Sequence, residues 1–80
     1  MFEAEVKISL KKAVADPQGL TVKHALESLN FKGLSEIRMG KLIKLKLEAK
    51  DKAEAEARVR QMCEKLLVNP IIEEYSFEIK

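Results

Sequence analysis

Residues that staple or cross-link small proteins are scarce in this 80-residue sequence. It has one cysteine, Cys63, one histidine, His24, and no tryptophan. A single cysteine excludes a disulfide within the chain, and this pair alone argues against a conventional zinc site. A chain of this length buries only about 60% of its unfolded surface. Because small folds without such staples often gain stability by oligomerising, we expect self-association.

An excess of charge of one sign is also absent. The sequence carries 15 basic and 13 acidic residues, for a net charge of +2. A nucleic-acid-binding domain normally concentrates positive charge on one face, whereas here the signs are interspersed. The first ten residues alternate polar and apolar, unlike a signal peptide or a membrane span. The sequence therefore predicts a cytoplasmic protein with a reduced thiol, and no nucleic-acid or membrane partner.

Residues suited to catalysis do not form a recognisable constellation. Acyl transfer needs a nucleophile held against a base, but Cys63 and His24 fall on different predicted helices. Helical spacing places Cys63 beside an apolar stripe and His24 on the solvent side. Gly19, Gly33 and Gly40 are too scattered to form a phosphate loop. We therefore predict no catalytic, cofactor-binding or metal-binding residues in this chain.

Alternation of polar and apolar residues predicts strands at both ends of the chain. Every second residue from Phe2 to Leu10 is apolar, and the same period recurs between Ile71 and Ile79. This period is typical of strands with one buried face.

A first helix is predicted to begin at Asp16-Pro17-Gln18-Gly19. Aspartate accepts hydrogen bonds from free amides at a helix start, and proline tolerates the first helical position. The same four residues also fit a type I turn. Asn30 and Gly33 are stop signals. The residues with helical apolar spacing are Val22, Ala25, Leu26 and Leu29.

A hairpin is predicted around Ile37-Arg38-Met39-Gly40-Lys41. Ile37 and Met39 share parity with the apolar residues of segment 43–47. A two-residue loop at Gly40-Lys41 would mix the two sheet faces. We therefore expect an odd-length connection or a bulge near Gly40.

A second helix is predicted to begin at Asp51, with Glu54 completing a capping box. Asn69-Pro70 ends it, because the residue before proline avoids the helical region. Its predicted core stripe is Ala55, Val59, Met62 and Leu66, flanked by Cys63 and Leu67.

The element order is therefore β-α-β-β-α-β. Two amphipathic helices can cover one face of a four-stranded antiparallel sheet, which is the ferredoxin-like two-layer sandwich. We predict this α+β fold as a single domain over residues 1–80.

Four motifs in this order resemble the small subunit of phosphoribosylformylglycinamidine synthase, the PurS family. They are Asp16-Pro17-Gln18-Gly19, Val22 with Ala25-Leu26, Ile37-Arg38-Met39-Gly40-Lys41, and the segment from Met62 to Tyr75. The resemblance covers essentially the whole chain, from the first strand to the last.

The resemblance implies a non-catalytic subunit acting in the fourth step of purine biosynthesis. A glutaminase subunit releases ammonia there, and a large synthetase subunit consumes ATP to join it to formylglycinamide ribonucleotide. ATP, magnesium and glutamine would be used by those partners, with no cofactor bound by this chain. The small subunit would form a homodimer or homotetramer that bridges them.

Seven residues in the motifs become candidates for the partner interface. Arg38 and Lys41 could supply charge-assisted hydrogen bonds across it. Solvated charge beside a structural turn explains Arg38 equally well and explains Lys41 better. The seven are Asp16, Pro17, Gln18, Gly19, Arg38, Gly40 and Lys41.

The sequence also leaves a second function open. A ligand-sensing regulatory domain of the same fold could dimerise and bind an amino acid or nucleotide near the first strand-to-helix loop, residues 11–19. Thermal melting with such ligands distinguishes the two functions, because a ligand of the folded state raises its stability.

Overall fold

The computed structural model describes residues 1–80. It contains three strands, β1, β2 and β3, two α-helices, α1 and α2, and a π-helical turn. Strand β1 is central and antiparallel to both neighbours, so the sheet order is β2-β1-β3. No helix is both long and apolar enough to cross a bilayer. The bounds are β1 Phe2–Leu10, α1 Pro17–Ser28, β2 Gly40–Leu47, α2 Lys52–Met62, the π-helical turn Cys63–Leu67, and β3 Glu73–Ile79.

The sheet has one apolar face, as the alternation predicts. Val6 lies between Ile43 on β2 and Phe77 on β3, and it is fully buried. On the opposite face, Glu5 lies between Lys44 and Glu78, and all of these carry charge. The first and last strands are therefore confirmed, with the last strand beginning at Glu73 rather than near Ile71.

Helix α2 covers the apolar face. The Asp51 carboxylate accepts a hydrogen bond from the Glu54 amide at 2.9 Å, which confirms the predicted start. The Glu54 carboxylate accepts from the Lys50 amide at 3.3 Å, one residue before the position that a capping box uses. Ala55 and Val59 are fully buried against the sheet. Capping at its start and burial of one face therefore both stabilise this short helix.

The π-helical turn changes which residues continue the core stripe. The Val68 amide donates to the Cys63 carbonyl at 3.0 Å, a span of five residues instead of four. The added residue rotates the following side chains by about 100° relative to an α-helix. Cys63 and Val68 are buried, whereas Leu66 is 84% exposed. The prediction that Leu66 belongs to the core is therefore wrong, whereas the end of the helical segment before Asn69-Pro70 is confirmed.

The predicted hairpin and fourth strand are both wrong. Residues 31–39 form neither helix nor strand, and β2 begins only at Gly40. The Met39 amide donates to the Asp16 carboxylate instead of to a neighbouring strand. No odd-length loop or bulge at Gly40 is needed, since no strand precedes it. The sheet therefore has three strands and two open edges.

Helix α1 begins as predicted but does not cover the sheet. Asn30 directly follows the C-cap residue Leu29 and adopts a positive φ of 71°, which ends the helix, and Gly33 in the following segment has a φ of 86°. However, no α1 residue belongs to the hydrophobic core or packs against it, and Leu29 is 68% exposed. The prediction that both helices cover one face is therefore wrong for α1. We call residues 16–39 the arm, since they leave the sheet after β1 and return to it at β2.

Candidate subunit interface

Asp16 holds the two ends of the arm together. Its Oδ1 accepts a hydrogen bond from the Gly19 amide at 2.9 Å, which caps α1. Its Oδ2 accepts a hydrogen bond from the Met39 amide at 2.6 Å, immediately before β2. The bond from Gly19, followed by the bond from Met39, lowers the pKa of the Asp16 carboxyl below its ordinary value. The ionised carboxylate thus joins a helix start to a strand start.

Of the two structures predicted for Asp16-Pro17-Gln18-Gly19, the helix start is confirmed and the isolated type I turn is not. Pro17 occupies the first helical position, where its missing amide hydrogen leaves no bond unmade. Gly19 is buried, and a Cβ at that position would lie 2.1 Å from the Ile37 carbonyl oxygen. Glycine is therefore required here by close approach of the returning arm. Gln18 is exposed and is free to meet a partner.

Arg38 ties the end of the arm to the loop after β1. Its Nη2 donates to the Lys11 carbonyl at 3.0 Å and to the Val14 carbonyl at 2.8 Å. Its Nε lies 3.9 Å from a carboxylate oxygen of Glu36. About a third of the side chain stays exposed. Arg38 therefore shapes the surface around it and still presents part of its guanidinium to solvent.

Lys41 forms an ion pair across the end of the sheet. Its Nζ lies 3.2 Å from Glu73 Oε2, although Lys41 is on β2 and Glu73 is on β3. The other Glu73 oxygen accepts from the Asn69 amide at 2.7 Å. That bond, followed by the Lys41 ammonium, lowers the pKa of the Glu73 carboxyl. Gly40 lies against β1, where an added Cβ would sit 2.7 Å from the Ile8 carbonyl oxygen.

The structure brings the candidate residues to one end of the sheet. A cleft of about 110 Å³ there is lined partly by Asp16, Gln18, Gly40 and Lys41. Arg38 lies on the adjoining side of the arm, in a second cleft shared with Asp16. Pro17 and Gly19 position the helix start beneath them. Two sequence motifs thus form one continuous surface.

Sequence reasoning missed Glu73 as a member of this surface. The sequence did contain a pattern that could have identified it, because Glu73 shares parity with Tyr75 and the other apolar residues of β3. Lys41 likewise shares parity with the apolar residues of β2. Two opposite charges on the apolar parity of two strands predict an ion pair where both strands begin at the same end of the sheet. The hydrogen bond from Met39 had no comparable signal.

The side chains capable of chemistry lie apart from this surface and from one another. Cys63 is buried in the core, and burial, with a smaller contribution from the Glu64 carboxylate, raises the pKa of its thiol. His24 is exposed on α1. No group of three or more His, Cys, Asp or Glu side chains converges on a point. Fold and surface together define a small domain of the α+β class.

Comparisons with known proteins identify that class more narrowly. The family model PurS, phosphoribosylformylglycinamidine (FGAM) synthase, matches residues 3–80. The chain is 41% identical to the PurS subunit of this synthase from Bacillus subtilis, across the whole chain and 94% of that protein. The chain belongs to the PurS family.

Solved PurS structures share the fold as well as the sequence. PurS of Methanocaldococcus jannaschii, one of the subunits of formylglycinamide ribonucleotide amidotransferase, superposes with a TM-score of 0.90 and 36% identity. That alignment covers all of this chain and 96% of the other. A chain of the PurLQS structure from Thermotoga maritima gives a TM-score of 0.90 at 34% identity, covering 99% and 96%. The family resemblance seen in the sequence is confirmed, and the ligand-sensing alternative is not favoured.

Proposed function

We propose that this chain is the non-catalytic assembly subunit of phosphoribosylformylglycinamidine synthase, a ligase complex of purine biosynthesis. In that role it binds a large synthetase subunit and a glutaminase subunit and holds them in one complex. The observation that carries the proposal is the whole-chain match to a subunit of the Thermotoga maritima PurLQS structure. ATP, magnesium and glutamine would bind the partners, in the cytoplasm.

The surface built around Asp16 supports this role. The side chains of Asp16 and Arg38 hold the backbone of this surface through four hydrogen bonds to main-chain atoms of other residues. A surface fixed in this way loses little conformational freedom when a partner docks on it. Gln18 and Lys41 remain exposed to make direct contacts. We propose that the seven motif residues form the contact with a larger subunit.

A homodimer or homotetramer is the second part of the proposal. Only 10 of the 80 residues are buried, which is few even for a domain of this size. Leu20, Leu29 and Phe31 on the arm are each more than half exposed. Burying such side chains against another copy would supply the stability that the single chain lacks.

Reconstitution tests the assembly role directly. The synthetase and glutaminase subunits are mixed with ATP, magnesium, glutamine and the ribonucleotide, with and without this chain. We expect glutamine-dependent product formation and a stable three-component complex only when the chain is present. Full activity without the chain, or turnover by the chain alone, would contradict the proposal.

The bridging position also suggests a role in ammonia transfer. Ammonia passing between two active sites must avoid protonation in bulk water, and a bridging subunit can help to enclose its path. The test compares glutamine-dependent with ammonia-dependent synthesis in complexes with and without the chain. A selective loss of the glutamine-dependent reaction supports enclosure, whereas an equal loss of both reactions supports positioning alone.

A further inference from the structure

The turn that leads into β3 presents an exposed apolar side chain. Ile71 is 80% exposed, and Pro70 beside it is also exposed. A single exposed apolar residue is common on protein surfaces and carries no argument by itself. This residue, however, lies in the motif from Met62 to Tyr75, and the seven candidate interface residues include none from that segment.

Hydrogen bonds within the turn hold its backbone in one conformation. The Asn69 carbonyl accepts from the Ile72 amide at 3.2 Å and from the Glu73 amide at 2.7 Å. The Asn69 side-chain oxygen accepts from the Ile71 amide at 3.1 Å. The Glu73 carboxylate accepts from the Asn69 amide at 2.7 Å. The backbone on both sides of Ile71 is therefore fixed.

Lys11 fixes the same turn from the end of β1. Its Nζ donates to the Pro70 carbonyl at 2.7 Å, and its amide donates to the Ile72 carbonyl at 2.8 Å. The residues before and after Ile71 are thus both bound to Lys11. A side chain held out by a rigid backbone loses little conformational freedom when a partner buries it. An aliphatic residue presented in this way has the properties of an interface anchor.

The turn is continuous with the surface built around Asp16. One Glu73 oxygen closes the turn, and the other lies 3.2 Å from Lys41 Nζ. Arg38 donates to the carbonyl of Lys11, the residue that holds the turn. The turn and the motif surface therefore form one connected unit. A large subunit docked on Arg38 and Lys41 also meets Ile71.

Exposed charge between the turn and the Asp16 surface indicates the chemistry of the partner. Lys11 and Lys12 are exposed, and the Lys41 side chain is 64% exposed. The carboxylates there are covered, since Asp16 is 9% exposed and the Glu73 side chain 10%. A partner therefore meets an apolar side chain flanked by ammonium groups. An isologous contact between two copies would set these lysines against their own equivalents, which is unfavourable.

We infer that Ile71 is an anchor that inserts into an apolar pocket of the large synthetase subunit, and that carboxylates line the rim of that pocket. The inference rests on the proposed function and names a residue and a partner chemistry that the function leaves open. The synthetase is the subunit expected to bind Arg38 and Lys41, and the continuity of the surface extends that contact to the turn.

Truncation of the anchor tests the inference. Ile71→Ala is titrated into synthetase and glutaminase with ATP, magnesium, glutamine and the ribonucleotide, and product formation is measured. The half-saturating concentration of the chain should rise about tenfold or more. The maximum rate should not change, because Ile71 contacts no reacting group. Leu42→Ala is the matched control, since Leu42 is 54% exposed but lies on the polar face of the sheet, and it should behave as the unchanged chain.

Two further variants separate an anchor from a general effect on folding. Ile71→Leu keeps an apolar side chain of the same size, and its half-saturating concentration should stay within about threefold of the original. Asn69→Ala keeps Ile71 but removes the oxygen that binds its amide, so the half-saturating concentration should rise because the turn is less ordered before docking. Circular dichroism confirms that every variant is folded.

Photochemical cross-linking identifies the chain that covers the turn. A diazirine-bearing analogue of leucine is placed at position 71, and at position 42 as the control. Irradiation of the three-component complex should join position 71 to the synthetase, at a site with apolar and acidic residues. Position 42 should give no such product. A product with the glutaminase or with a second copy of the chain would overturn the inference.

The outcomes also distinguish this inference from the proposed function. If the unchanged chain does not support glutamine-dependent synthesis at any concentration, the proposed function is refuted. If it does, but Ile71→Ala has the same half-saturating concentration, the anchor is refuted and the proposed function stands. If Ile71→Ala alters the sedimentation of the chain alone, the turn belongs to a contact between copies and the inference is overturned.

Discussion

The Asp16 carboxylate and the Met39 amide are 2.6 Å apart, although they lie 23 positions apart in the sequence. The same carboxylate caps α1 through the Gly19 amide. Because both oxygens are engaged, the start of the arm cannot move without disturbing its end. This one side chain therefore fixes the direction in which α1 leaves the sheet, and it shapes the surface that the PurS motifs form.

Replacing Gly19 with alanine should displace the arm. Alanine normally stabilises a helix relative to glycine, but here its Cβ would lie 2.1 Å from the Ile37 carbonyl oxygen. That contact involves backbone on both sides, so it is not relieved by a side-chain rotation. We expect the free energy of unfolding to fall by about 2 kcal/mol. Urea denaturation measures it.

Gly33→Ala provides the control for this substitution. Gly33 has a φ of 86°, but a Cβ there meets no atom within 4 Å. The free energy of unfolding should fall by about 1 kcal/mol in this variant, because only the left-handed backbone conformation opposes alanine. Hydrogen exchange at the Met39 amide should accelerate in Gly19→Ala and stay unchanged in Gly33→Ala. Equal behaviour of the two variants would contradict the steric account.

Acid should destabilise the fold through three carboxylates. The pKa values of Asp16, Glu73 and Glu5 all lie below their ordinary values. At low pH the unfolded chain therefore binds more protons than the folded chain at these groups. Their stabilisation is present above the ordinary pKa values of 3.8 and 4.5 and is lost as the pH falls through the folded values. The urea midpoint should be flat from pH 7 to about 5 and then decline.

Glu73→Gln isolates one of the three groups. The amide oxygen can still accept from the Asn69 amide, but the Lys41 ion pair is lost. The decline of the urea midpoint below about pH 4.5 should therefore be shallower than in the unchanged chain. Glu74→Gln is the control, since Glu74 is the exposed neighbour on the opposite sheet face. A decline equally steep in Glu73→Gln and the unchanged chain would show that Glu73 is not responsible.

Arg38 and Lys41 should differ in how they affect the fold. Arg38→Ala removes hydrogen bonds to two carbonyl oxygens and should lower the free energy of unfolding by about 1 kcal/mol, because the site is partly exposed. Lys41→Ala removes one ion pair of a side chain that is 64% exposed, and its effect on stability should be below about 0.5 kcal/mol. Thermal and urea unfolding of both variants measure the difference.

Both substitutions should weaken binding of the synthetase. Pull-down of the synthetase by Arg38→Ala and Lys41→Ala is compared with pull-down by Lys44→Ala. Lys44 is an exposed lysine on the polar face of the same strand as Lys41, so it controls for loss of positive charge. If a variant retains as much synthetase as the unchanged chain does, the substituted residue is not part of the interface.

The Cys63 thiol should be inert in the folded protein. It is fully buried, and burial raises its pKa, so little reactive thiolate is exposed. A chromogenic disulfide reagent should react at least about a hundredfold more slowly with the folded chain than with the chain in concentrated urea. The thiol introduced by Leu66→Cys is the control and should react rapidly. Rapid labelling of Cys63 itself would contradict the buried position.

Local patterns in the sequence predicted many elements correctly. Asp16 and Asp51 cap the two helices because capping depends on amides within three residues. Alternation predicted which side chains of β1 are buried, because the strand period is fixed by its own geometry. The motifs also identified the PurS family. These signals are all read from neighbouring positions.

The errors arose where distant contacts decide the outcome. The parity of Ile37 and Met39 suited a strand, but the Met39 amide found the Asp16 carboxylate instead. The helical stripe through Leu66 was interrupted by a π-helical turn that keeps Val68 in the core. The local preference for a strand in the first case, and for a continuous α-helix in the second, is weaker than these contacts.

The sequence by itself determined where the helices begin, which strand faces are apolar and which family the chain belongs to. Only the tertiary structure decided that α1 projects from the sheet, that the sheet stops at three strands, and that Lys41 meets Glu73. The physical reason is the distance along the chain over which each interaction acts. Capping and alternation are set by the backbone geometry of a few adjacent residues, whereas the direction of the arm depends on one carboxylate binding amides on both sides of a 20-residue excursion.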